Sequence, residues 1–268
     1  MLYNAKNGTL QIGDATMDYI RFGTGTKILV MLPGLGDSLR SMKGIALPMA
    51  CMYREFAKDF TVYAFSRKSV LPEGCTTRDM ARDQAEAMEQ LGIGCADIFG
   101  VSMGGMIAQY LAIDHPEKVR RLILAVTASR PNPVLLEALN TWISLAQRGD
   151  HAAFMDSNMR LIYSENYYRK NKWTVPLLGA LTKPKSYTRF FVQANACLAH
   201  NAYEDLHRIQ APALVIGGEK DMTLGGDASR EIAAAIPNAE LLMYEEWGHG
   251  LYEEAKDFNR VILTFFGM

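Results

Sequence analysis

The most restrictive feature of the chain is Gly100-Val101-Ser102-Met103-Gly104-Gly105. It joins a short apolar run, Ala96–Phe99, to a helical pattern, Met103–Ile113, with no room for a loop. A strand can turn into a helix so abruptly only if small residues let the two backbones nearly touch. The residue at the apex is then forced into an uncommon backbone conformation and its side chain is lifted above the sheet edge. A Gly-rich connection with a capping serine is the bland reading. The strand before and the helix after favour an exposed nucleophile, Ser102.

That turn fits an α/β fold, and the alternation of strand-like and helix-like segments through the first half argues for one. Gly8–Ile12 and Thr16–Phe22 read as an antiparallel hairpin about Gly13 and Asp14. Lys27–Leu32, Thr61–Ser66, Ala96–Phe99 and Arg121–Thr127 are short apolar runs bounded by turn residues, as strands of a parallel sheet are. Helical spacing lies between them, over Thr76–Leu91 and Met103–Ile113, with Thr76 or Thr77 placed to cap the first and Gly92 just past its end. From Pro131 to about His200 strand patterning stops and apolar residues recur at helical spacing: Leu135, Leu139, Trp142 and Ala146, then Met155, Met159 and Ile162, then Phe190, Ala194 and Cys197. Strands resume at Ala213–Gly217 and Glu240–Tyr244, and a last helix is expected over Glu253–Phe266. The organisation is therefore a core of residues 1–130 and 201–268, with residues 131–200 inserted as a helical cap.

At 268 residues the chain can bury a sizeable core without staples. Its net charge of −1 gives no general attraction to phosphate backbones, so nucleic acid is not an expected partner. No apolar run approaches the ~18 residues of a membrane span, and Met1–Asp14 lacks the apolar stretch of a signal peptide. A cytoplasmic protein without a membrane partner is the expectation. The four cysteines, Cys51, Cys75, Cys95 and Cys197, show no paired spacing and read as free thiols, and no metal-ligand pattern is present.

A serine hydroxyl needs a base, and the base needs an orienting acid. Of the five histidines, His249 lies in Glu246-Trp247-Gly248-His249-Gly250, just past the last strand, where an α/β sheet assembles its site. His115 precedes a proline at a helix end, His151 and His200 belong to the insertion or its edge, and His207 falls at the opposite end of the sheet. The acid is expected in Gly217-Gly218-Glu219-Lys220-Asp221: Asp221 is favoured, with Glu219 its nearest rival. An oxyanion needs preorganised N–H donors, each worth roughly 3–4 kcal/mol. The backbone N–H groups of Met103 and of Leu35, in Pro33-Gly34-Leu35-Gly36-Asp37, are the candidates.

These blocks together resemble the α/β-hydrolase superfamily, specifically its capped serine hydrolases. The resemblance runs through LPGLGDS, LGIGCADIFGVSMGG, HPEKVRRLILAVTAS, LHRIQAPALVIGGEKDMT and IPNAELLMYEEWGHGLYEE, in family order, with Ser102, Asp221 and His249 in the order of the family triad. It implies a mostly parallel eight-stranded sheet flanked by helices, a cap over the site, and chemistry needing no metal or organic cofactor. Two departures stand out. Pro33-Gly34 replaces the His-Gly common before the oxyanion loop, and Phe65-Ser66-Arg67-Lys68-Ser69 replaces an Asp-x-x-Gly after the second core strand.

The resemblance implies hydrolysis of a small to medium, largely apolar ester or lactone through an acyl-enzyme. C–C or amide hydrolysis and acyl transfer by the same triad stay open. So does a ligand-binding signalling protein with vestigial hydrolysis. Trp142, Phe154, Met159 and Phe190 are the expected pocket residues. Residues 131–200 carry a surplus of +4 against −5 elsewhere, which reads either as an anionic substrate or as a solvated lid surface.

Overall fold

The computed structural model describes residues 2–268. Eight strands form one sheet: β1 (Lys6–Ile12), β2 (Ala15–Phe22), β3 (Lys27–Leu32), β4 (Phe60–Lys68), β5 (Ala96–Val101), β6 (Val119–Ala125), β7 (Ala213–Gly218) and β8 (Ala239–Tyr244). Their order is β1-β2-β4-β3-β5-β6-β7-β8. The hairpin β1–β2 runs antiparallel and joins antiparallel to β4, and every other pairing is parallel. The reversal follows from loop length, because only Gly13 and Asp14 separate β1 from β2 whereas parallel neighbours need a crossover.

Side chains of the parallel strands alternate between two cores. Val30 and Leu32 point into the layer built on α2 (Thr77–Gln90) and α3 (Met103–Asp114), while Leu29 and Met31 point into the layer with α1 (Ala46–Met52) and the C-terminal helix. Helix α2 starts as its sequence requires: Thr76 accepts from the Asp79 N–H, and the Asp79 carboxylate closes the box on the Thr76 N–H. Gly92 beyond its end sits at φ 69°. Helix α3 is buried from Met103 to Ile113, so it shows no amphipathic stripe.

Between β6 and β7 the chain is helical: α4 (Pro133–Gln147), α5 (His151–Ile162), α6 (Glu165–Asn171), α7 (Val175–Thr182) and α8 (Thr188–Leu198). After β7 come α9 (Asp227–Ala235), β8, α10 (Leu251–Glu254) and α11 (Phe258–Phe265). Thus the single helix expected over Glu253–Phe266 is two. The chain is extended at Ala255, whose buried methyl and the buried Leu251 and Phe258 anchor the two segments separately. Strand β6 also stops earlier than its apolar run. Val126 has φ 43°, which a β-branched residue adopts only under strain and which ends the ladder. All cysteines are free. Among the described residues no helix is long and apolar enough to cross a membrane.

Candidate active site

The carboxyl ends of β3, β5, β7 and β8 lie along one sheet edge, with Leu32 beside Gly100 and Gly218 beside Tyr244. Loops leaving that edge carry Ser102, Asp221 and His249, at the place where α/β sheets assemble their sites. Ser102 sits between β5 and α3 at φ 53° and ψ −122°. Gly100 explains how the turn fits: a Cβ there would lie 2.6 Å from the Gly104 carbonyl oxygen. A Cβ on Gly104 would meet the Leu32 carbonyl. The turn is held from β6, whose Ala125 carbonyl accepts the Ser102 N–H at 2.9 Å, and by Thr127 Oγ1, which donates to the Ser102 carbonyl at 2.7 Å.

The Ser102 hydroxyl is not spent on capping α3. Its Oγ lies 3.1 Å from His249 Nε2, and His249 Nδ1 lies 2.9 Å from Asp221 Oδ2. Asp221 Oδ1 accepts the Thr223 and Leu224 N–H groups at 2.8 and 2.9 Å, which fixes the carboxylate plane. His249 and Asp221 are both buried. Their loops touch through backbone, with the Lys220 N–H on the Trp247 carbonyl at 3.1 Å. Gly218 permits this approach, since a Cβ there would strike the same carbonyl. Glu219, the rival acid, points away into an ion pair with Arg230.

The other histidines are engaged elsewhere. His200 is buried against Thr77 Oγ1 at 2.8 Å, and burial pulls its imidazole down to about 3. His151 meets Tyr187 Oη, His207 its own turn at the Glu204 carbonyl, and His115 lies near Glu117.

Met103 opens α3, and Leu35 opens the short 3₁₀ turn Leu35–Ser38. An N–H at the first position of a helix has no intrahelical acceptor, so both are open donors. The departures in sequence find their reason here. Arg67, wholly buried, donates from Nη2 to the Pro33 carbonyl at 2.5 Å. The Arg67 N–H donates to Asp37 Oδ2 at 3.0 Å. Arg189, on α8, binds the same Asp37 Oδ2 at 2.7 Å and also the carbonyls of Asp37, Arg67 and Lys68. Two arginines and one aspartate thus brace the loop that carries the Leu35 N–H. The signal for them was an arginine at the end of a buried strand; Arg189 gave none beyond its charge.

The inserted helices are bonded to the triad loops. The Gly250 N–H donates to the Ile162 carbonyl at 2.6 Å, Asn132 Nδ2 to the Leu224 carbonyl at 2.7 Å, and Thr223 Oγ1 to the Leu161 carbonyl at 3.1 Å. Beneath them is a cavity of about 440 Å³ that reaches Ser102, His249 and Leu35. Trp142, Phe154 and Phe190 line it. Met159 does not: on α5 the wall is Phe154, Asn158 and Ile162, spaced by four, and Met159 is turned about 100° from that face. A second wall, from Met42, Ile45, Met49 and Tyr53 around α1, had no marker in the sequence beyond its methionines. The insertion's lysines and arginines line none of this cavity. Its positive surplus faces elsewhere, and Arg189 spends its charge on the loop brace.

A family model described as the alpha/beta hydrolase fold matches residues 27–256. Among curated proteins, the chain is similar to a "Putative carbamate hydrolase RutD" of Caulobacter sp. (strain K31), 29% identical over 196 residues, 71% of this chain and 72% of that one. It is also 29% identical over 260 residues to a "Putative non-heme bromoperoxidase BpoC" of Mycobacterium tuberculosis (strain ATCC 25618 / H37Rv), covering 91% and 95% of the two chains. Among solved structures, MGS-M2, an alpha/beta hydrolase enzyme from a Medee basin deep-sea metagenome library, superposes with a TM-score of 0.84 at 23% identity, over 97% of this chain and 98% of that one.

Proposed function

The chain belongs to the α/β-hydrolase fold family, and from that premise we propose that it is a serine hydrolase cleaving a small to medium, largely apolar carboxylic ester or lactone. One observation carries the reading: the chain Ser102 Oγ–His249 Nε2–Asp221 Oδ2, at 3.1 and 2.9 Å, opens onto a mainly apolar cavity. Ser102 Oγ attacks the carbonyl carbon as His249 Nε2 takes its proton. Asp221 holds the imidazole with Nδ1 protonated and stabilises the imidazolium. The carbonyl oxygen gathers charge and is met by the Leu35 and Met103 N–H groups. His249 returns its proton to the departing alkoxide, leaving Ser102 acylated. Water, deprotonated by the same nitrogen, then attacks the acyl carbon and restores the hydroxyl. The inserted helices act as a cap that closes the cavity, and no step needs a metal or organic cofactor.

A panel of 4-nitrophenyl esters of increasing acyl length, with a 4-nitrophenyl carbamate included, tests this against Ser102→Ala. The proposal expects hydrolysis that Ser102→Ala lowers by several orders of magnitude. Hydrolysis that survives the substitution, or none with any ester, overturns it.

A further inference from the structure

One carboxylate in the cavity has no role in the triad and, among the described residues, no cation to balance it. Glu253 follows His249 by four residues and lines the same cavity. Its Oε2 accepts from Tyr163 Oη at 2.8 Å, and it forms no ion pair with any Lys, Arg or His among the described residues. The side chain is open to solvent yet hemmed in by protein, and that surrounding pushes its carboxyl above the usual range. Tyr53, Tyr163 and Tyr252 line the cavity beside it. Burial and the nearby Glu253 carboxylate hold all three phenols protonated, well above their ordinary range.

The other acidic side chain on the wall, Asp37, is committed to Arg67 and Arg189. Arg40, the one arginine on the wall among the described residues, is solvent-exposed at the loop beyond Leu39. A carboxylate without a cationic partner beside tyrosine rings matches a cationic nitrogen, which gains from both the charge and the ring quadrupoles. An anionic group would be repelled by Glu253 and would find only the exposed Arg40 to pair with among the described lining residues.

We propose that the substrate carries a cationic nitrogen, an ammonium or quaternary ammonium group, received by Glu253 and the rings of Tyr53, Tyr163 and Tyr252 while Ser102 attacks its carbonyl. This rests on the hydrolase reading, replaces one end of its apolar substrate by a charged group, and makes Glu253 the residue that sets specificity within it.

The probes are alkyltrimethylammonium ions of several chain lengths and their neutral isosteres ending in a tert-butyl group. Their affinities are measured by calorimetry on the Ser102→Ala protein and on Ser102→Ala carrying Glu253→Gln, and their inhibition constants on the active enzyme. The ammonium ion is expected to bind at least about tenfold more tightly than its isostere, and Glu253→Gln is expected to abolish most of that ratio. Glu253→Asp, which keeps the charge, retains part of it. Equal affinity for the two probes, or a ratio unchanged in Glu253→Gln, overturns the proposal. Calorimetry reads the cation site without turnover, so failure of ester hydrolysis alone strikes the hydrolase reading and leaves this result separate.

Discussion

Replacing Arg189 by methionine removes the α8 side chain that hydrogen-bonds the loop carrying Leu35, while keeping most of its volume. The Asp37 side chain is 1% exposed and that of Arg189 17%. Without Arg189, Asp37 Oδ2 keeps the Arg67 N–H at 3.0 Å and the Arg67 guanidinium only at 3.9 Å. The carbonyls of Asp37, Arg67 and Lys68 also lose a donor. Breaking a buried charge pair from one side costs about 3–5 kcal/mol, and the partial exposure of Arg189 places this case at about 3. With a urea slope of roughly 2–3 kcal/mol/M for a chain of this size, the unfolding midpoint should fall by about 1 M with the slope unchanged. The loop that moves carries the Leu35 N–H, so kcat toward a 4-nitrophenyl ester should fall by about ten- to a hundredfold, within what one oxyanion donor supplies. Arg189→Lys, which keeps the charge but not the fork, should lie between. A midpoint within ~0.3 M of the parent protein, with kcat unchanged, would refute the brace.

His200 is buried and neutral, with its folded value pulled to about 3 against an unfolded value near 6.5. Between those two values the unfolded state binds the extra proton, so stability is fully present above about pH 6.5 and is lost by up to about 1.4 kcal/mol per unit as pH falls toward 3. Urea midpoints at pH 7.5 and 5 should differ less in His200→Gln than in the parent, and an identical difference sinks the assignment. Gly100→Ala drives a Cβ into the Gly104 carbonyl and Gly105 Cα at 2.6 and 2.7 Å. Backbone cannot yield there cheaply, so the variant should unfold at least about 3 kcal/mol more easily or fail to fold, and near-parental stability would contradict the close strand–helix approach. Asp221→Asn leaves the loop bonds to Thr223 and Leu224 possible but presents the wrong partner to His249 Nδ1, so kcat should drop by about 10⁴ with little loss of stability. A loss below tenfold would reassign the acid.

The chain announced its fold where physics leaves few choices. Buried parallel strands must be apolar on both faces, and Lys27–Leu32 spans residue for residue what its apolar run indicates. A strand that meets a helix without a loop must be glycine-rich, so Gly100 and Gly104 mark Ser102 directly. Elsewhere several solutions share one pattern. Apolar content continues past Ala125, and only the backbone at Val126 stops β6. Helical spacing in α5 supports two neighbouring stripes, and tertiary packing selected the one holding Asn158 over that of Met159. The Arg67–Asp37–Arg189 brace joins residues 152 positions apart, and no local periodicity encodes such a contact. Glu253 was hidden for a similar reason: a charged residue in a helix of four residues carries no periodicity that would place it on a cavity wall.

The central claim is that Ser102 becomes covalently acylated. The protein should be treated with a fluorophosphonate, digested, and the modified residue located by mass spectrometry, with residual ester hydrolysis followed alongside. The account predicts one adduct, on Ser102, whose appearance parallels the loss of activity and which fails to form in Ser102→Ala and slows sharply in His249→Ala. An adduct elsewhere, or full labelling with hydrolysis undiminished, would contradict it.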